Sequence, residues 1–269
     1  MNPARLALRR IRGVFRRHWY LLTASWPRML DLVYWPTVQV ILWGFITRFL
    51  AEESSLVANA AGIFLSAVLL WDVLFRSQLG VSLGFLEEMY SRHFGHLYTS
   101  PLRPYEHVLA VFLIATIRVA LGVGGASLLA IPIHGFWIGG VLGWSTVLFM
   151  AVLMAFGWSI GLMIAGLVMR LGMGAESLAW AAIFLIQPVS GVFYPIETLP
   201  GWVQAIAWCL PTAPVFEGMR AVLIEHRFDL GLLLHALAML CLWLALGASV
   251  YTALFRSVRR RGQLLQTGE

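Results

Sequence analysis

Long apolar runs separated by short arginine-bearing segments are the feature that most constrains how this chain can fold. Over 269 residues the sequence is 60% hydrophobic and only 12% charged, with a mean hydropathy of +0.80. A soluble domain carries about 25% charged residues, so the composition favours a lipid bilayer as the surrounding medium. A run of about 20 apolar residues is long enough for a helix to cross about 30 Å of hydrocarbon. We therefore predict an all-α integral membrane protein.

Six membrane spans are predicted, and together they form a transmembrane domain over residues 29–255. They cover residues 32–51, 57–83, 108–131, 138–169, 175–192 and 230–255. The fourth stretch is longer than a crossing requires, so it is expected to tilt or to begin in the membrane interface. An even number of spans places both chain ends on the same side of the membrane.

The arginines orient these spans. All 19 basic residues are arginine. With six spans, fifteen arginines fall on the side of the chain ends and three, Arg48, Arg220 and Arg227, on the opposite side. Because cytoplasmic segments carry the excess of basic residues, both chain ends are predicted to be cytoplasmic. The absence of lysine excludes a Walker A phosphate loop and a lysine Schiff base on this chain.

Both ends of the chain are basic. Residues 1–28 are predicted to form a cytoplasmic interface segment, because residues 4–22 place apolar side chains on one helical face and arginines on another. The arginine stripe consists of Arg5, Arg9, Arg12 and Arg16. Residues 256–269 are predicted to form a basic cytoplasmic tail. Arginines beside apolar segments favour membrane lipids as partners and argue against nucleic acid; a solvated basic tail is the alternative for the first segment.

A short stretch breaks the apolar pattern before the last span. GVFYPIETLPGWVQAIAWCLP, residues 191–211, contains three prolines and a glutamate. Its apolar part, about nine residues long, is too short to cross a bilayer. Short re-entrant helices are therefore predicted between spans five and six, where protein or a wet cavity covers them. They are expected to gate the outer end of a pathway, with Tyr194, Pro195, Glu197, Pro200, Trp202, Glu217 and Arg220 as candidate gate residues.

Two segments resemble a known family. SGVFYPIETLPGWVQAIAWCLPTAPVFEGMRAVL, residues 190–223, resembles the segment before the last span of type-2 ATP-binding cassette (ABC) exporter membrane subunits. The shared features are an aromatic-Pro pair, a Leu-Pro pair, and a later acidic residue and arginine. FLEEMYSRHFGHLYTSPLRPYEHVLA, residues 85–110, resembles the cytoplasmic coupling region of the same family.

The resemblance implies partners and a mechanism. Such subunits usually form dimers on two ATPase subunits, so a homodimer is expected in a bacterial inner membrane. ATP and Mg²⁺ are expected on the ATPase, with no cofactor in this chain. A coupling helix at about residues 87–100 is expected to contact the ATPase, with Glu87, Glu88, Met89, Arg92, His93 and Pro101 as candidate coupling residues. The cargo is expected to be a lipid-linked saccharide, a lipid or an amphipathic drug, exported from the cytoplasm or inner leaflet.

Two charged residues lie near the middle of predicted spans. Asp72 falls in span two and Arg118 in span three. Charges at that depth are costly unless they are paired or face water. We predict that Asp72 pairs with Arg118, with Arg76 one turn from Asp72. A structural ion pair and a contact to an anionic substrate both fit this pattern.

No catalytic or metal-binding residues are expected in this chain. Glu87 and Glu88 are adjacent, so on a helix their side chains diverge by about 100° and a shared catalytic site is not expected. His93 and His96 have a spacing seen in metal sites, but no cysteine or further histidine stands nearby in the sequence. The alternative functions are an intramembrane lipid-modifying enzyme and a passive channel or assembly scaffold.

Overall fold

The structure, a computed structural model, describes residues 3–53, 55–91 and 93–262. All regular secondary structure in these ranges is helical, which confirms the predicted all-α class. Eleven α-helices are described: α1 Pro3–Thr23, α2 Trp26–Glu53, α3 Ser55–Tyr90, α4 Phe94–Thr99, α5 Pro104–His134, α6 Ile138–Leu142, α7 Ser145–Leu171, α8 Glu176–Ile186, α9 Gly201–Trp208, α10 Thr212–Ile224 and α11 Leu230–Arg260.

Five helices in the described part of the chain are long and apolar enough to cross a membrane. They are Trp26–Phe49 within α2, Gly62–Tyr90 within α3, and the whole of α5, α7 and α11. The chain is therefore a multi-pass membrane protein. The predicted span over residues 175–192 is not a single crossing helix: α8 has 11 residues, a length of about 16 Å. Pro188 follows its end, and the missing N–H of proline stops the helix there.

Two other predicted boundaries are corrected by the structure. Residues 138–169 do not form one helix, because Gly143 lies between α6 and α7 with φ 61°, a left-handed backbone that favours glycine. The predicted coupling helix at residues 87–100 is shorter, since α3 continues to Tyr90 and the separate helix α4 covers only Phe94–Thr99. Glu87 and Glu88 thus belong to the last turns of a long membrane helix.

Helix α3 lies at the centre of the bundle and packs against α2, α5 and α7. Its contact with α7 is unusually close at two glycines. A Cβ atom on Gly157 would lie 2.8 Å from the carbonyl oxygen of Leu74, and one on Gly161 would lie 2.7 Å from Cβ of Val81. Small residues permit such approach between membrane helices. The later glycine of α7, Gly161, meets the later residue of α3, Val81. The two helices therefore run parallel.

Helices α7 and α11 also run parallel. Gly247 lies against Ser159, and further along both helices Leu254 lies against Gly166. Ser159 donates its hydroxyl to the carbonyl oxygen of Trp243 at 2.5 Å. Parallel neighbours require the intervening chain to return from one end of the bundle to the other. Residues 172–229 make that return in several short helices instead of one.

Helix α1 forms as predicted and packs against α5 and α2. Its arginine stripe, Arg5, Arg9, Arg12 and Arg16, is exposed, whereas His18 and Leu22 are buried. Of the predicted apolar face, Leu8 is exposed. The position of α1 in a membrane interface stays a prediction.

The glycine contact between α3 and α7 leads to a stability prediction. We expect Gly157→Ala to lower the free energy of unfolding by about 1–3 kcal/mol, because the new methyl group overlaps the α3 backbone. Gly124→Ala is the matched control: this glycine also lies inside a membrane helix, but nothing lies within 4 Å of its Cβ position. Thermal unfolding in detergent measures both changes. Equal midpoints for the two variants would contradict the packing described.

Candidate functional site

Charged and polar side chains of α1, α3 and α5 meet at one end of the bundle, and we call this group the junction cluster. Its members are Arg10, Arg17, His18, Glu87, Glu88, Glu106, His107 and Arg118. Glu88 is 0% exposed and lies at its centre. The Arg17 guanidinium donates hydrogen bonds to both of its carboxylate oxygens. His18 lies on the other side, with Nε2 3.4 Å from Oε1 of Glu88.

The start of α5 supplies a second ion pair to the junction cluster. Pro104 occupies the first turn, where its missing N–H has no helical partner to lose. Glu106 accepts a hydrogen bond from the backbone N–H of Arg103 at 2.9 Å and two from Arg10 at 2.6 and 2.7 Å. A carboxylate in the first turn also interacts favourably with the helix dipole. The hydrogen bond to Glu106 raises the pKa of Arg10 above its usual value.

The predicted Asp72–Arg118 pair is not formed. Asp72 accepts a hydrogen bond from Arg76, one turn along α3, at 2.6 Å. Arg118 instead reaches Glu87, with 3.3 Å between Nη2 and Oε1. Side chains tilt toward the N-terminus of their own helix, and α3 and α5 are antiparallel, so Arg118 and Glu87 lean toward each other. The long arginine side chain thereby brings its charge toward the end of the bundle.

The candidate coupling residues lie around the end of α3 and around α4, but in different environments. Glu88 is fully buried, so its carboxylate is not available to another chain, while Met89 and Glu87 are partly buried. His93 and Pro101 are exposed. Arg92 lies outside the described residues.

Helix α4 is attached to the bundle by aromatic side chains. The Phe94 ring lies 6.3 Å from that of Phe85 on α3, and the Tyr98 ring lies 5.1 Å from that of Phe255 on α11, measured between centroids. Burial raises the pKa of Tyr98 well above its usual value. His96 and Thr99 are exposed on this helix. Helix α4 therefore combines a face buried against two membrane helices with an exposed face.

The candidate gate residues divide into two groups. Arg220 of α10 donates hydrogen bonds to the carbonyl oxygens of Gly191 and Tyr194 at 2.6 and 3.0 Å, and it pairs with Glu217 at 3.0 Å. Glu217 also accepts a hydrogen bond from the backbone N–H of Ile196 at 2.7 Å. Gly191 has φ 64° and lies against Ile196. These contacts hold the turn after α8 against α10.

The remaining candidate gate residues lie outside this hydrogen-bond network. Glu197, Pro200 and Trp202 are exposed, and so is Pro195. Trp202 is the second residue of the short helix α9, which extends over Gly201–Trp208 in the region predicted to be re-entrant. The structure thus brings Tyr194, Glu217 and Arg220 together and leaves the others on the surface.

Several members of the junction cluster were missed by the sequence analysis. Arg10 and Arg17 sit among other arginines of α1, and only their rotation about the helix axis distinguishes them from the exposed stripe. His18 is far from Glu88 in sequence, while Glu106 and His107 lie in the same family-like segment as Glu88 but were not singled out in it. Pro104 followed by Glu106 signals the start of a helix, but the contact of Glu106 with Arg10 and the proximity of His107 to His18 depend on how α1 crosses the ends of α3 and α5.

Comparison with known proteins agrees with this architecture. A family model described as "ABC-2 type transporter" matches residues 12–224. The chain belongs to this family of membrane transporter subunits, as the resemblance predicted, and the family implies an ABC ATPase as partner. No curated protein matches the chain.

The pairing of Glu88 leads to a second prediction. We expect Arg17→Gln to lower the free energy of unfolding by about 1.5–3 kcal/mol, because a buried carboxylate loses its charged hydrogen-bond donor. Arg16→Gln removes a neighbouring but exposed arginine of the same helix, and we expect a change within about 0.5 kcal/mol. Thermal unfolding in detergent compares the two variants. If both variants lost a similar amount of stability, the charge of α1 and not the ion pair with Glu88 would be the cause.

The contacts of Arg220 lead to a third prediction. We expect Arg220→Gln to destabilise the protein by about 1.5–3 kcal/mol, since a buried and a partly buried carbonyl oxygen and a carboxylate lose their donor. In Arg227→Gln the lost ion pairs to Glu225 and Asp229 are exposed to solvent, so we expect at most about 1 kcal/mol. Limited proteolysis and unfolding midpoints measure both. If the turn after α8 were as resistant to proteolysis in Arg220→Gln as in the wild-type protein, Arg220 would not hold that turn against α10.

Proposed function

We propose that this chain is the membrane-spanning subunit of an ATP-driven exporter in a bacterial plasma membrane. The observation that carries the proposal is the match of residues 12–224 to the ABC-2 type transporter family. The chain has no lysine for a Walker A loop, so ATP and Mg²⁺ bind to separate ATPase subunits. Two copies of this chain and two ATPase subunits form the working complex.

We infer six crossings, with both chain ends in the cytoplasm. Support comes from the parallel arrangement of α7 and α11, which requires the intervening residues to return across the bundle. Helix α8 and the turn held by Arg220 make that crossing, before the re-entrant region of α9 and α10. The excess of arginines on the side of the chain ends supports the orientation.

We propose that α4 receives the movement of the ATPase. His96 and Thr99 on this helix, and His93 just before it, are exposed and available to a partner. Phe94, which is buried, and Tyr98, which is partly buried, contact α3 and α11. A displacement of α4 is therefore passed to two long membrane helices. Glu88 acts indirectly, by joining the end of α3 to α1.

The proposed cargo is a lipid-linked saccharide, a lipid or an amphipathic drug, taken from the cytoplasm or the inner leaflet. The family resemblance supports these classes. We propose that α9 and α10, with Arg220, Glu217 and Tyr194, gate the outer end of the pathway. Their hydrogen bonds join the turn after α8 to α10, so the two parts move as one.

Site-directed cross-linking tests the partner and the orientation together. The two native cysteines, both exposed, are first changed to alanine. His96→Cys then places a single thiol on the exposed face of α4, and Glu225→Cys places one on the exposed loop after α10. With a thiol-reactive cross-linker in native membranes, we expect position 96 to capture a Walker A-containing protein, identified by mass spectrometry, and position 225 not to.

Labelling of intact cells supplies the control for orientation. A membrane-impermeant maleimide is expected to react with the cysteine at position 225 and not with the one at position 96. Absence of any ATPase among the partners of the gently solubilised, tagged chain would refute the proposed function. Reaction at position 96 from outside would refute the orientation alone.

A further inference from the structure

Three fully buried side chains of the junction cluster converge at one point. His18 of α1, Glu88 of α3 and His107 of α5 each offer a ligand atom, and these atoms all lie within 4.8 Å of one another. Within the described residues, both ring nitrogens of His18 and Nε2 of His107 have no hydrogen-bond partner. A buried polar atom left unpaired costs about 1–3 kcal/mol. Two imidazoles, each with an unpaired nitrogen, beside one buried carboxylate indicate a shared ligand.

The spacing of these atoms suits a metal ion. Nε2 of His18 lies 3.4 Å from Oε1 of Glu88. In a tetrahedral zinc site, two ligand atoms each about 2.1 Å from the ion are about 3.4 Å apart. A pair of imidazoles and one carboxylate is also a ligand set that Zn²⁺ takes, with water in the fourth position.

The outer ring nitrogens of both histidines lie near oxygen atoms of the kind that orient metal ligands. Nδ1 of His18 lies 3.6 Å from Oε2 of Glu87. Nδ1 of His107 lies 3.1 Å from the hydroxyl of Tyr98. Histidines that bind metals usually donate their second ring N–H to a carboxylate or another acceptor, which directs the free nitrogen to the ion. In both His18 and His107, Nδ1 has the outer contact, so Nε2 is left on the side of Glu88.

The charges around the cluster set limits on such a site. Arg17 is bonded to Glu88, and Arg118 is paired with Glu87. A carboxylate has about four lone-pair positions, so Glu88 can accept Arg17 and still bind an ion. The two arginines lower the affinity expected of the site, while the two glutamates supply the negative charge that a divalent ion requires.

We propose that His18, Glu88 and His107 bind a divalent transition-metal ion of the Zn²⁺ type, through Nε2 of each histidine and one carboxylate oxygen. The ion joins α1 to α3 and α5 directly beside Tyr98 of α4. No metal site was expected from the sequence, because the three residues are separated along the chain and share no metal-ligand spacing. Nothing in the transport function itself requires this ion.

Metal content and metal-dependent stability test the proposal on the purified full-length chain, together with any partner that remains bound. After purification in chelator-free buffer, we expect about one zinc per chain by elemental mass spectrometry. After metal removal, added ZnCl₂ should raise the thermal unfolding midpoint. His18→Gln and His107→Gln should lose this shift, whereas His96→Gln, which changes an exposed histidine, should retain it.

A further variant separates metal binding from a structural role. Tyr98→Phe removes the outer partner of His107, and we expect zinc affinity to fall about tenfold or more without abolishing binding. Co²⁺ added to the metal-free wild-type protein should give the visible absorption of a tetrahedral site, a readout that does not depend on any variant folding. If the wild-type protein holds no zinc, shows no shift with ZnCl₂ and gives no Co²⁺ spectrum, the proposal is wrong.

Discussion

The buried carboxylate of Glu88 is the interaction on which one end of the structure depends. A charge removed from water costs several kcal/mol unless it is paired and hydrogen-bonded. Arg17, which donates hydrogen bonds to Glu88, and His18, which lies 3.4 Å away, both come from α1. Helix α1 must therefore dock across the end of α3, and in that position Arg10 also reaches Glu106 at the start of α5. Three segments that are distant in sequence become one unit next to α4.

Within the bundle, small and polar residues decide how the helices pack. Apolar side chains give little preference for protein over lipid, so close approach and hydrogen bonds determine the contacts. Gly157 brings α7 onto the backbone of α3. On another side of α3, the amide of Gln78 donates to the carbonyl oxygen of Ala179 in α8 at 3.1 Å. The short helix α8 is thus fixed to the central helix by a buried hydrogen bond.

Backbone groups freed by the end of α8 find a partner in a side chain. After Pro188 the chain leaves the helix, and the carbonyl oxygens of Gly191 and Tyr194 lack helical partners. Irregular backbone at membrane depth must be satisfied by protein or water. Arg220 supplies donors to both, and Glu217 accepts the N–H of Ile196. The interrupted apolar pattern in this part of the sequence therefore corresponds to a turn stabilised by α10.

The sequence by itself determined the helical class, the positions of the long membrane helices and the family, because hydropathy, helical periodicity and motif residues are local properties of the chain. It also indicated a break within residues 191–211, since proline and glycine act on the backbone where they stand. Only the tertiary structure decided the partners of the charged residues. Arg118 joins Glu87 instead of Asp72, and Glu88 turns inward to α1, because long side chains select partners by helix rotation, crossing and reach, which no local pattern specifies.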